Sequence, residues 1–309
     1  MAQFEIKDGV AIIPDGTTEI GENAFYICES LTSVTIPDSV TSIGRSAFNY
    51  CTSLKSITIP NSVTNIGSEA FRGCTSLKSI IIPESVTYIG WDAFRGCTSL
   101  ESIVVADGNP VYDSRGGCNA IIKTATNTLI KGCKTTVIPE SVTEIGSSAF
   151  YGCTSLESIT IPNSVTKIGG YAFKGCTSLK SITISESVTE IRKCAFKGCT
   201  SLESITIPEG VTEIGEYAFR DCTSLESVVI PKGVKKIKEY AFAGCTSLTT
   251  LTLPIGVNKI EERVFDKCSA LAAINVPAKK TDYYKQRLPE ELHDKIVELA
   301  PEKWAKAKK

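Results

Sequence analysis

The sequence is poor in the groups on which most catalysis rests. It holds one histidine, His293, so Ser–His, Cys–His or histidine–metal chemistry would have to pass through that single side chain. No two cysteines are spaced as C-x-x-C, which removes the usual zinc and thiol–disulfide motifs. G-x-S-x-G, P-loop and dinucleotide fingerprints are absent, so the expectation is a protein that is not an enzyme and holds no metal or cofactor. Charge of either sign is not in excess, with 33 Lys and Arg against 34 Asp and Glu, and no strong field draws the chain to nucleic acid or an acidic membrane. No apolar run approaches the roughly 18–20 residues of a membrane helix. The opening MAQFEIKDGV shows neither the basic nor the apolar region of a secretory leader, and no wall or membrane anchor is visible. Thirteen cysteines are an odd number, so at least one thiol stands outside any intramolecular disulfide.

What the sequence has instead is repetition. Ten cysteines, from Cys28 to Cys97 and from Cys153 to Cys268, recur in steps of 23 residues with one break, and ten leucines from Leu31 to Leu271 keep the same step. One unit, written from Leu54, reads LKSITIPNSVTNIGSEAFRGCTS. Leu54, Ile57 and Ile59 form a short strand pattern. Pro60 ends it, having no N–H to donate to a ladder. Val63 and Ile66 direct the next segment inward, Gly67 permits a turn, and Ala70, Phe71 and Cys74 have the spacing of a single α or 3₁₀ turn. One unit cannot bury its apolar side chains alone, but stacked copies share a core made of nearest-neighbour contacts. The expected fold is a repeat solenoid of 23-residue coils with equivalent strands paired in parallel. Cysteines one coil apart would lie about 5 Å from each other, yet parallel Cβ vectors do not provide the roughly 90° dihedral of a disulfide. They read as a ladder of reduced thiols packed as small hydrophobes.

The unit L-x-x-I-x-I-P-x-S-V-x-x-I-G-x-x-A-F-x-G-C-x-S resembles the leucine-rich repeat of the BspA-like group, also called the Treponema pallidum type. The likeness spans about residues 8–277, and Ser39, Ser62, Ser85, Ser141, Ser164 and Ser187 stand where many leucine-rich repeats carry a ladder asparagine. The resemblance implies a right-handed leucine-rich-repeat solenoid with parallel strands on its concave face. It also implies a protein partner, since members of the group are commonly bacterial surface proteins that bind host or matrix proteins and other cells.

The repeat breaks between Leu100 and Cys133, where the step is 33 residues. CNAIIKT and TLIKGC flank ATN, which reads as a β-hairpin with a polar loop inserted at about 104–133. Counting outward from Ala125 and Thr126 sets Cys118 opposite Cys133, so a cross-strand disulfide and a pair of free thiols are both open. Coil eight departs from the pattern with Ser185 for Pro, Arg192 for Gly and the extra Cys194, and the first coil is degenerate, as a cap would be. After Val276 helix signals begin. TDYYKQRL and EELHDKIVEL, with Leu292, Ile296 and Leu299 on one stripe, predict a helical cap over 278–309 that ends in the basic, frayed PEKWAKAKK. The domains are therefore a solenoid over 1–277 and that cap, with His293 facing solvent.

The strand positions facing away from the core are mostly Ser and Thr. Beside them runs a row of charges, Lys55, Lys78, Glu101, Lys134, Glu157, Lys180 and Glu203, whose signs alternate from Lys78 onward. Neighbouring coils are expected to pair them, and the row is also a candidate platform for a protein partner. Tyr88 and Trp91 in one coil, and Tyr217 and Tyr240 at one repeat position, are candidate aromatic anchors for such a partner. Two readings stay open. One is a bacterial surface or secreted adhesin-like protein, from the resemblance. The other is an intracellular interaction scaffold, from the absent leader and the unpaired thiols. Partner and oligomeric state are open in both.

Overall fold

The computed structural model describes residues 4–300, and the basic segment 301–309 lies outside them. The chain forms two compact units, the first reaching Val142 and including Ser148–Ser155, the second made of Thr143–Ser147 and the chain from Leu156 onward.

In the first unit, equivalent segments stack one coil apart in two parallel ladders. The longer strands include Val10–Ile12 against Ser33–Thr35, and Ser79–Ile82 against Ser102–Val105 with Ile81 opposite Val104. A second ladder runs through Glu19–Ile20, Ser42–Ile43, Asn65–Ile66 and Tyr88–Ile89, each two residues long. Between the ladders the repeat leucines, isoleucines and phenylalanines are buried. Phe4, Phe25, Phe48, Phe71 and Phe94 stack with ring centroids 5.1–5.6 Å apart. That spacing is the strand separation of a parallel sheet slightly opened by the ring offset. At the N-terminal end Ile6–Lys7 turns back antiparallel on Val10–Ile12, so the degenerate first coil begins with a short hairpin.

The second unit repeats this plan. Ser158–Thr160 pairs with Ser181–Thr183, and Ser227–Val229 with Thr250–Thr252 and then Ala273–Pro277, all in parallel. Its short ladder runs from Glu144–Ile145 to Lys259–Ile260. Phe173, Phe196, Phe219, Phe242 and Phe265 form its own ring stack.

The segment around Ala-Phe is where the structure departs from the expected helical turn. In coil two, Ala47, Asn49 and Cys51 donate to the carbonyls three residues back, at 3.1–3.3 Å. The alternate amides of Ser46, Phe48 and Tyr50 donate instead to Ser68, Ala70 and Arg72 of the next coil, at 2.7–2.9 Å. Ser46 and Tyr50 have φ of 53° and 58°, and this left-handed backbone interrupts any helix. The segment is a run of turns whose spare donors join the coils, which a free-standing helix would not do. Gly67 plays a different part from the turn former expected of it. Its φ is ordinary, but a Cβ there would come within 2.6 Å of the Gly44 carbonyl carbon, so glycine permits close approach of neighbouring backbones. In three coils of the second unit Arg192, Lys238 and Glu261 fill this position, while Gly146, Gly169 and Gly215 keep it. The amide-to-carbonyl distance to the preceding coil is 3.2 Å at Arg192, against 2.8 Å at Gly169.

In the inserted segment Ala120–Lys123 and Thr128–Gly132 run antiparallel, with a register shift between Ile121 and Ile122. That bulge decides the cysteine question. Beyond it Ala120 faces Gly132, so the residue next in line for Cys133 is Asn119, and Cys118 and Cys133 are both free thiols. Asn119, at φ 56°, stitches the insertion to its surroundings. Its side chain accepts from Ile103 N at 2.5 Å and donates to Glu101 O at 2.8 Å and to the Thr135 hydroxyl, and its carbonyl accepts from Thr136 Oγ1 at 2.7 Å.

The C-terminal segment is only partly helical. Thr281–Lys285 is a short α-helix and Glu290–Lys295 a 3₁₀ turn, but Ile296–Leu299 is a strand that pairs in parallel with Ala273–Pro277. Of the apolar stripe that predicts a helix, Leu292 lies in the 3₁₀ turn, and Ile296 and Leu299 lie in the strand whose backbone covers the open edge of the last coil, where unpaired N–H and C=O groups need partners. Tyr284 is fully buried and its hydroxyl donates to Pro254 O. His293, expected in solvent, is half-buried with Nε2 3.0 Å from Leu288 O.

Candidate functional site

Twelve of the thirteen thiols are buried and all are free. Within an unbroken run of coils the ladder thiols donate to the phenylalanine carbonyl of the preceding coil: Cys51 to Phe25, Cys74 to Phe48 and Cys97 to Phe71 at 3.0–3.1 Å. Cys199, Cys222, Cys245 and Cys268 do the same in the second unit at 3.2 Å. Cys153, after the insertion, is directed instead at Gly132 O at 3.7 Å. The phenylalanine carbonyl also accepts the cysteine N–H of its own coil, as Phe25 O does from Cys28 at 3.1 Å, so both its lone pairs are used. The thiols are thus rungs between coils as well as fillers. Burial pushes the thiols of Cys51, Cys97 and Cys222 up to about 12 and that of Cys268 to about 11, leaving them neutral and unreactive at ordinary pH. At Cys97 and Cys153 the nearby Lys131, itself buried, works against that rise. Among the described residues no group of three or more His, Cys, Asp or Glu side chains is placed to hold a metal ion. Among them also, no helix is long and apolar enough to cross a membrane.

The residues named from the sequence fall on different faces. In the first unit Lys55, Lys78 and Glu101 are exposed beside the long strands. In the second unit Glu157, Lys180 and Glu203 are exposed at the equivalent positions. Of this charge row, only Glu101 and Lys134 come within ion-pair distance, at 2.7 Å. Lys134 holds the Glu101 carboxyl below its ordinary range, with Lys78 adding to the effect. The expected pairing of Glu157 with Lys180 and of Lys180 with Glu203 does not form; these exposed side chains gain too little in water to be held together. Tyr88 lies on the short ladder and Trp91 at the entry to the turns, 51% and 60% exposed. Tyr217 and Tyr240 are half-buried on the turn face of the second unit, stacked at 5.0 Å with Arg220 about equally close to both rings. The structure therefore gathers no single site from these residues.

The long-strand face of the first unit also carries exposed apolar side chains. Where half of the coils carry Thr at the outward position, as at Thr58, the first unit has Ile12, Ile81, Val104 and Val137, exposed by 71%, 60%, 44% and 72%. Ile81 and Val104 are direct neighbours on paired strands, flanked by Lys78 and Glu101. The departure of Ile81 from the repeat threonine was the available signal.

The family model described as the BspA type leucine rich repeat region matches residues 9–114, 131–229 and 212–288. A leucine rich cell surface protein of Faecalibacterium prausnitzii is 30% identical, with a TM-score of 0.60 over 91% of this chain and 82% of that one. A leucine-rich repeat protein of Bacteroides ovatus is 33% identical, with a TM-score of 0.51 over 94% of this chain and 84% of the other. The pneumococcal vaccine antigen PcpA, 20% identical, shares the fold with a TM-score of 0.80 over 94% and 79% of the two chains. No curated protein matches the chain. With the family model covering most of its length and its coils stacked as the repeat requires, the chain belongs to the BspA-type leucine-rich repeat family.

Proposed function

We propose that this is a non-enzymatic protein-binding solenoid that works as a bacterial surface or secreted adhesin-like protein. The observation that carries the reading is the exposed pair Ile81 and Val104, side by side on the long-strand face at a position where half of the coils carry Thr, with Lys78, Glu101 and Lys55 around it. An apolar centre with a charged rim is the anatomy of a protein interface. Glu157, Lys180 and Glu203 give the second unit a polar surface of its own, and Tyr88, Trp91, Tyr217 and Tyr240 are secondary anchors. The surface role is supported by the Faecalibacterium relative, whose description is a cell surface protein.

The test is binding of the purified protein to a panel of purified matrix and host-surface proteins, with an Ile81→Thr/Val104→Thr variant beside it. Both changes restore the repeat's own residue, so the fold is retained. A partner that binds the native protein and is lost by the variant supports the reading; no specific binding to any member of the panel sinks it. The second reading, an intracellular scaffold, is favoured by the thirteen free thiols, which suit a reducing compartment. Protease treatment of intact source cells separates the two. Digestion favours the surface, and protection until lysis favours the interior.

A further inference from the structure

Each exposed apolar residue on the long-strand face of the first unit is followed, three residues on, by a carboxylate. Glu84 follows Ile81, Asp107 follows Val104 and Glu140 follows Val137, and in the first coil Asp15 follows Ile12. All of these side chains are exposed. Among the described residues the carboxylates of Asp15, Glu84, Asp107 and Glu140 enter no ion pair and accept no hydrogen bond. The same repeat position works differently in the second unit. There the Glu186 carboxylate accepts from the Glu209 amide and the Glu209 carboxylate from the Lys232 amide, each at 3.1 Å, so the acids join one coil to the next.

The fold leaves the first-unit charges unanswered. A Cβ on Gly108 would lie 3.5 Å from Glu84 Oε2, so the Glu84 carboxylate reaches the coil of Asp107 and sets like charge beside like charge. The nearby cations are placed or occupied elsewhere. Lys78 stands three residues before Ile81, on the opposite flank of the apolar pair, and Lys134 is held by Glu101 at 2.7 Å. Arg115 is tied through Nε and Nη2 to the two oxygens of Asp113. The whole chain is close to neutral, so the acidic flank is a local field and not the edge of a general one.

Part of this face is hollow. A pocket of about 300 Å³ opens beside Val137, lined by Cys118, Pro139 and Glu140 and by Arg115, whose charge Asp113 already answers. Apolar walls with one unengaged carboxylate suit the methylene stem and charged head of a lysine or arginine side chain.

We infer that the long-strand face of the first unit binds a basic segment of a partner protein, whose apolar side chains cover Ile81 and Val104 while its lysines or arginines meet Glu84, Asp107 and Glu140. This rests on the protein-binding reading above and adds the chemistry of the partner. A polyanion such as nucleic acid is repelled by the same carboxylates. A small polyamine answers the charge but leaves the apolar pair in water.

The test is fluorescence anisotropy of labelled synthetic peptides titrated with the full chain. The probes are a short peptide alternating lysine and leucine, a second with glutamate in place of lysine, and a third with serine in place of leucine. The lysine–leucine peptide is expected to bind, the serine peptide to bind more weakly and the glutamate peptide not to bind. Glu84→Gln/Asp107→Asn/Glu140→Gln, with its thermal melt unchanged, should weaken the lysine–leucine peptide roughly tenfold and flatten its salt dependence. Ile81→Thr/Val104→Thr should weaken it several-fold, and Glu226→Gln in the second unit should leave it unchanged. Equal binding of the glutamate peptide, full binding by the neutralised variant, or no binding of the lysine–leucine peptide at low salt would overturn the inference. The panel of protein partners separates this from the broader reading. A partner lost by Ile81→Thr/Val104→Thr but kept by the neutralised variant leaves protein binding in place and overturns the basic partner.

Discussion

The Cys74 thiol donates to the Phe48 carbonyl, 26 residues back, at 3.1 Å, and the same bond joins Cys to Phe in coil after coil. The cysteine ladder therefore links the coils by directed hydrogen bonds in addition to filling the core. Removing the donor leaves the carbonyl one partner short and opens a small void. Cys74→Ala is expected to lower the stability of the protein by about 1–3 kcal/mol. Cys74→Ser keeps a donor of similar reach and should cost less. Urea unfolding of the two variants decides the point; if serine is the worse replacement, the thiol acts by packing alone.

The same burial gives the ladder a sign in alkali. The thiols of Cys51, Cys97 and Cys222 start from about 9 when unfolded and are raised by burial in the fold to about 12. A raised group supports the fold fully below its unfolded value and loses that support as pH climbs through the folded one. Stability should thus fall between about pH 9 and 12. In parallel, alkylation at pH 8 should label Cys28 first, the one thiol that is not buried, and the others only on unfolding. Mass spectrometry of native and urea-treated samples reads this directly, and rapid native labelling of Cys74 or Cys199 would contradict it.

At the other end of the pH scale the C-terminal cap is sensitive through Glu298. Its carboxylate accepts from Thr281 Oγ1 at 2.7 Å and from Thr281 N at 3.1 Å, and these bonds, with the amides of Lys279 and Lys280, lower it to about 2. A lowered carboxyl supports the fold above its unfolded value and loses that support as pH falls through the folded one. The helix Thr281–Lys285 is therefore expected to loosen between about pH 4.5 and 2, ahead of the coils. Hydrogen exchange at the Thr281 amide measures it, and Glu298→Gln should show much of the effect already at neutral pH.

Asn119 offers a test of the insertion. Asn119→Ala removes the acceptor for Ile103 N and the donor to Glu101 O, and sets a Cβ residue less suited than asparagine at φ 56°. A loss of about 2–4 kcal/mol is expected. Asn119→Gly relieves the backbone but not the bonds, and should recover about 1 kcal/mol of it. Protection of the Ile103 amide should fall in both; an unchanged amide would mean that the insertion is held by its apolar residues alone.

Much of this architecture was legible in the residue order. The period, the inward Leu54, Ile57 and Ile59, the buried Phe and Cys positions and the stacking of like on like all followed from one argument, although the segment 54–59 itself is extended without forming a regular strand. A unit with Leu, Ile, Phe and Cys at fixed places buries them only against its own copies. The candidate surfaces were legible in part. The charge row is where the sequence put it, but whether two exposed charges meet depends on side-chain entropy and solvent. The exposed apolar pair was visible only as the loss of a threonine.

What the sequence determined by itself is therefore the coil and its inward face, because a repeated spacing admits one register that hides every apolar side chain. Tertiary structure decided everything set by an atom in another coil or another strand. The left-handed turns at Ser46 and Tyr50 are supported by amides that donate to the next coil. The glycine at position 67 answers to the Gly44 backbone, and the bulge beside Ile121 separates Cys118 from Cys133. Ile296–Leu299 is a strand because an open strand edge lies beside it. In each case the local pattern was compatible with two conformations, and a hydrogen bond or a close contact from a distant part of the chain selected one.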